Sequence, residues 1–207
     1  MKSLIPAVFV PLLAAVLAGC NTHSSNYEDV AANSSTQSFA VCSGFDCYWR
    51  TKVPVTRRDA NRYAAIMAAG RSSPDAERKA VAKAVVYFEK SNAAFLGHTD
   101  TPMSQFRNAG KKGEMDCIDE GTNTQSLLRY LDRRGLLRHH SAGPTITRGF
   151  ILDGQFPHVT AVLIEENGFR WSVDSWPTEV GQEPEIMSVE QWVKNGDLAE
   201  ELSAAMR

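Results

Sequence analysis

The 207-residue sequence predicts an α+β domain, with helices first and an antiparallel sheet after them. Apolar residues recur near a 3.6-residue period between Thr56 and Gly135, and beyond Pro144 the period falls to two. Length agrees: past an apolar leader and a polar spacer, about 165 residues remain, enough for one domain.

The first helix is read in "TRRDANRYAAIMAAGR", from Thr56 to near Gly70. Ser73-Pro74-Asp75 starts the second, with a capping Ser, Pro in the first helical position and an acid in the first turn. Val81, Val85, Phe88 and Phe95 mark its core face, and Gly97 ends it. Residues 98–115 are read as a long irregular loop. The third helix begins at Cys117, with Asp116 as cap and Asp119 in a capping-box-like place; Leu128 and Leu131 face the core, and Gly135 stops it. "TITRGFIL", "HVTAVLIEE" and "FRWSVDSW" read as strands, with turns at Asp153-Gly154 and Asn167-Gly168. The tryptophans Trp171, Trp176 and Trp192 are read as core.

The chain opens "MKSLIPAVFVPLLAAVLAGC". One lysine precedes an apolar run too short for a permanent membrane span, which is the pattern of a secretory signal. Its end, Leu17-Ala18-Gly19-Cys20, resembles the bacterial lipobox. That resemblance implies cleavage before Cys20 and lipid on its sulfur, so residues 1–19 are expected to be removed. Localisation would then be the bacterial cell envelope, on the outer membrane facing the periplasm if the cell is Gram-negative. Residues 20–40, rich in Ser, Asn and Thr, are read as a flexible tether, and 41–207 as the folded domain. A formal net charge of −2 makes no electrostatic case for nucleic acid.

Of four cysteines, Cys20 is assigned to lipid. Cys42 and Cys47 are near enough to close a small loop, and in an oxidising compartment a disulfide is the default reading; zinc held with His139 or His140 is the alternative. Cys42-Ser43-Gly44 resembles the nucleophile motif of one class of cell-wall endopeptidases. Val41 stands before it instead of Asp, and poor helix formers follow, so that reading is set aside.

Cys117 is then unpaired. At a helix start, free backbone N–H groups and the helix dipole favour the thiolate and would hold an oxyanion beside it. The carboxylates of Asp116, Asp119 and Glu120 oppose this, and a cationic histidine would restore it. His158 begins one strand and Asp174 ends the next. A two-residue turn at Asn167-Gly168 would put them on opposite faces. A three-residue loop, Glu166-Asn167-Gly168 with Gly168 in a bulge, puts Thr160 opposite Asp174 and His158 diagonal to it on the same face. This register leaves Val159, Ala161, Leu163, Phe169, Trp171 and Val173 together on the other face, and we prefer it.

"MDCIDEGTNTQSLLRYLDRRG", "PHVTAVLI" and "GFRWSVDSW" together resemble the transglutaminase-like cysteine hydrolases, nearest to the periplasmic bacterial proteinases of that superfamily. The resemblance spans about residues 114 to 177 and implies a papain/transglutaminase-like fold. It implies Cys117 as nucleophile, His158 as general base and acid, and Asp174 as the orienting carboxylate. It departs from those proteinases at Glu120-Gly121-Thr122, where they carry an aromatic. Asp116 and Asp119 resemble acids that bind calcium in some relatives, while Ile118 stands where another acid belongs. Gln105 is the oxyanion candidate among side chains. The expected protein is a lipid-anchored cysteine hydrolase or acyltransferase acting on peptide or side-chain amides, with no cofactor except calcium as an option. Its partners would be the membrane, through Cys20, and a peptide or protein substrate. The alternative is a non-catalytic envelope lipoprotein that keeps the fold as a binding module.

Overall fold

The computed structural model describes residues 29–31, 34–149 and 157–195. The leader, Cys20 and the expected turn at Asp153-Gly154 lie outside the described residues.

The fold is α+β. Strands β1 (Ser38–Ser43) and β2 (Trp49–Pro54) form an antiparallel hairpin. Helices α1 (Arg57–Ala68), α2 (Pro74–Leu96) and α3 (Cys117–Arg133) follow. A second, wholly antiparallel sheet holds β3 (His140–Ala142), β4 (Ile146–Arg148), β5 (His158–Glu165), β6 (Arg170–Asp174) and β7 (Glu185–Ser188), and α4 (Val189–Lys194) comes after it. β5 is the organising strand: β3 and β4 pair with successive parts of one edge, and β6 takes the other.

The helix starts follow local chemistry. Thr56 and Asp59 form a reciprocal capping box on α1, and Ser73 caps α2 ahead of Pro74. Gly97, left-handed at φ 76°, ends α2. The core cluster joins Phe39 and Val41 of β1, Tyr63 and Met67 of α1, Val81, Val85 and Phe88 of α2, Leu127, Leu128 and Leu131 of α3, and Ala161, Leu163 and Val173 of the sheet. Phe39 is wedged edge-on against Phe88 and Tyr130, with ring centroids 4.9 and 5.1 Å apart.

Several expectations are corrected. Phe95 is 55% exposed, so the core face of α2 ends near Phe88 and Asn92. Phe169 is 47% exposed, at the edge of its hairpin. The tether is shorter than read: Val30 packs on the Cys42–Cys47 pair, Ser34 is buried, and β1 begins at Ser38. Helix α3 is not amphipathic in use. Every residue from Asp119 to Leu128 is buried, polar ones included, because the helix lies between the hairpin and the sheet. Its polar side chains are matched to backbone: Asn123 accepts from the Cys42 N–H at 2.7 Å and donates to its carbonyl at 3.0 Å, and Gln125 donates to the Gly143 carbonyl.

Candidate active site

The β5–β6 hairpin has the register that puts His158 and Asp174 on one face: Ala161 pairs with Val173 and Leu163 with Trp171. The loop has three residues. The Gly168 N–H donates to the Glu165 carbonyl and Gly168 is left-handed, at φ 85°. His158 Nε2 lies 2.6 Å from Asp174 Oδ2, with both residues buried.

A second donor meets the same oxygen. Trp192, on α4, directs its indole N–H to Asp174 Oδ2 at 2.7 Å. Its ring lies 5.5 Å from that of His158, and the Arg148 guanidinium sits over the same indole, 4.4 Å from its centroid. Trp176 covers His158 as well, at 4.9 Å between centroids. These three residues were read as core or not singled out. Trp192 follows a short strand and a helix start, and nothing in its spacing ties it to Asp174.

An oxygen that accepts one N–H at 2.7 Å is an acceptor for the other as well, so the His158 proton sits on Nε2. Nδ1 then carries the lone pair. It is buried and has no hydrogen-bond partner among the described residues.

Cys117 begins α3, capped by Asp116, whose side chain accepts the Asp119 N–H at 2.9 Å. The Val159 N–H, the amide directly after His158, faces its sulfur and favours the thiolate. Gly121 permits this approach. A Cβ there would lie 3.2 Å from Val159 Cγ1 and 3.3 Å from the Val159 carbonyl oxygen, so a larger residue would push the first turn of α3 and β5 apart by a few tenths of an ångström.

The thiol differs from expectation. Cys117 is half-buried, and burial, followed by the charge of Asp116, pushes its thiol up to about 12. The dipole of α3 does not overcome these two effects. Asp116 takes the Asp119 N–H, and the Cys117 N–H faces its own sulfur, beside which an oxyanion would form.

Asp119 is not the second half of a capping box. Both its oxygens accept from the disulfide loop: Oδ2 from the Phe45 N–H at 2.8 Å and Oδ1 from the Cys47 N–H at 2.7 Å. Asp116 Oδ2 takes the Asp46 N–H at 3.0 Å. The donors come from four consecutive left-handed residues, Gly44 to Cys47, with φ of 87°, 69°, 53° and 53°. Three of these are not glycine, and the Cys42–Cys47 disulfide and the carboxylates hold them there. All four carboxylate oxygens of Asp116 and Asp119 accept backbone N–H groups, which commits this pair to holding the disulfide loop and the start of α3. Zinc at the cysteines is excluded by the disulfide, and His140 is held by Glu77 instead, Nδ1 to Oε1 at 2.9 Å. Gln105 is exposed, just before the 3₁₀ turn Phe106–Asn108.

Behind the site, Glu120 accepts from Ser175 Oγ at 2.8 Å and lines a small cavity of about 30 Å³ with Glu89, Asp100, Asn92 and His98. Burial, then Glu120, raises Glu89 to about 8 and Asp100 to about 9. Compared with protein families, curated proteins and solved structures, the chain finds no match in any of the three.

Proposed function

We propose that the protein is a cysteine acyl-transfer enzyme of transglutaminase-like fold, held at the cell envelope by lipid on Cys20, with Cys117, His158 and Asp174 as its catalytic residues. The observation that carries this is the direction of the His158 proton. Nε2–H is spent on Asp174, and the lone pair on Nδ1 is kept unpartnered on a residue whose neighbouring amide faces the Cys117 sulfur.

The raised thiol sets the order of events. At neutral pH the sulfur keeps its proton, so no thiolate–imidazolium pair is stored at rest. As an amide carbonyl arrives, Nδ1 takes the thiol proton, the sulfur bonds to the carbonyl carbon, and the π pair moves to oxygen. The Cys117 N–H holds the oxyanion, and Asp174 stabilises the imidazolium. Collapse breaks the C–N bond, the amine leaves with the proton from Nδ1, and a thioester remains. Water or a second amine, deprotonated by the same Nδ1, releases the acyl group and returns the thiol.

The test is to incubate the protein with p-nitrophenyl acetate and search for an acetyl thioester on Cys117 by mass spectrometry. The adduct should form, and should be lost in His158→Ala. An adduct that forms equally in that variant, or no adduct at all, refutes the reading. The crowded, high-pKa sulfur favours a second reading, a binding module without chemistry, and that reading predicts no adduct in either protein.

A further inference from the structure

The disulfide loop and the 105–113 loop are stitched into one surface. The Gly110 N–H donates to the Gly44 carbonyl at 2.9 Å, the Gly44 N–H to the Glu114 carbonyl at 2.6 Å, and Trp49 Nε1 to the Gly110 carbonyl at 3.2 Å. On this platform stand Phe106, 86% exposed, Tyr48, 70%, and Trp49, 41%. Phe45 joins them, its ring 6.5 Å from that of Phe106, and Tyr48 lies 5.1 Å from Trp49. Three exposed cations, Arg107, Lys111 and Lys112, flank the aromatics on the 105–113 loop, and Asp46 is the exposed carboxylate opposing them. The core cluster owes nothing to this ridge. Water-facing aromatics on a braced platform mark a surface that is covered in use.

We propose that this ridge is a membrane-contact surface that seats the domain on an anionic bilayer. Tyr and Trp suit the headgroup boundary, Phe106 the acyl region just below it, and the three cations the phosphates. The charge excess selects an anionic leaflet over a neutral one. The contact is separate from the lipid expected on Cys20. It adds the second of the two signals that a stable peripheral attachment needs, and it fixes which side of the domain meets the lipid. Because Asp116 and Asp119 bind the same loop, the side that meets the bilayer is the one that carries the start of α3.

The test uses the chain from Asn21 onward, which lacks the leader and Cys20 and keeps the whole core cluster, Phe39 to Val173. It is sedimented with vesicles of phosphatidylcholine alone or with about one-third phosphatidylglycerol. Binding is expected to the anionic vesicles, to weaken with salt, and to fall about thirtyfold in Lys111→Gln/Lys112→Gln, at about fivefold for each positive charge removed. Phe106→Ser should also lower it, and quenching by brominated lipid should be lost in Trp49→Phe. All these side chains are exposed, so circular dichroism should stay unchanged. Equal binding to both vesicle types, no binding, or binding indifferent to the lysine and Phe106 changes overturns the proposal. So does a dimer in sedimentation velocity that Phe106→Ser dissolves without any vesicle binding, since the ridge would then meet a second copy. None of these outcomes depends on the Cys117 thioester assay.

Discussion

Asp174 Oδ2 accepts two N–H donors at once, His158 Nε2 at 2.6 Å and the Trp192 indole at 2.7 Å. The carboxylate is therefore held from two elements, β5 and α4, and the imidazole cannot turn over without losing a buried bond. Trp192→Phe keeps most of the ring and removes only the donor. Acylation of Cys117 should slow about tenfold, with a stability loss of about 1–2 kcal/mol for the missing hydrogen bond. The pH profile of acylation decides between roles, because a merely structural indole would leave its inflection in place.

Asp174→Asn is more severe. An amide must turn its NH₂ toward one of two N–H donors, or force His158 to carry its proton on Nδ1. The lone pair then faces the wrong way. Acetylation of Cys117 is expected to fall by about a hundred- to ten-thousandfold, while the fold persists. Retention of the wild-type rate would show that Asp174 does not set the tautomer.

The pairing of His158 with Asp174 was legible because a strand alternates with period two, and one glycine at the turn chooses the face. The helix starts were legible for a similar reason, since Thr56, Ser73 and Asp116 act within one turn of themselves. What was hidden is non-local. The left-handed run Gly44–Cys47 exists because of Asp116 and Asp119, about seventy residues away, and Phe45 and Asp46 show no propensity for it. The burial of polar α3 was equally hidden, because an amphipathic reading of Leu128 and Leu131 cannot see that two sheets cover the helix. The thiol's shift was misjudged because dipole and charge were weighed without the desolvation that only packing reveals.

That shift has a direct consequence for alkylation. A thiol pushed up to about 12 is almost wholly protonated at pH 8, whereas an unperturbed cysteine near 8.5 is about one-quarter thiolate. Iodoacetamide labelling of resting Cys117 should thus be slow and climb about tenfold per pH unit through pH 10, with no plateau near 8.5. A plateau there would mean that the sulfur is solvated and the general-base order of events is wrong.

Gly121 tests the approach of helix to strand. In Gly121→Ala the new methyl meets Val159 at 3.2–3.3 Å, and neither the backbone carbonyl nor β5 yields cheaply. The first turn of α3 should lift from β5, costing about 1–3 kcal/mol and separating the Cys117 sulfur from the Val159 N–H. Acylation should drop further than stability alone explains, when measured well below the melting temperature. An Ala variant with wild-type acylation would mean that the contact does not position the thiol.

The acids behind the site predict a stability that falls with pH. Asp100 is half-buried and beside Glu120, and partial desolvation followed by that charge raises its carboxyl from the usual carboxylate range to about 9. The folded chain therefore binds a proton there that the unfolded chain has released by about pH 5. This contribution is fully present below pH 4 and is lost as pH rises through 9. In Asp100→Asn no proton is at stake, and Oδ1 can still accept the Met115 N–H, 2.6 Å away in the native protein. The full shift corresponds to about 5 kcal/mol between pH 5 and pH 9; with solvent screening at this half-buried group, the variant should gain on the order of 2 kcal/mol relative to wild type. Urea unfolding at the two pH values measures this directly. A difference between the proteins that does not change with pH would mean that Asp100 is ionised in the folded state, and that its cavity is wetter than the packing of Glu89, Asn92 and Glu120 around it allows.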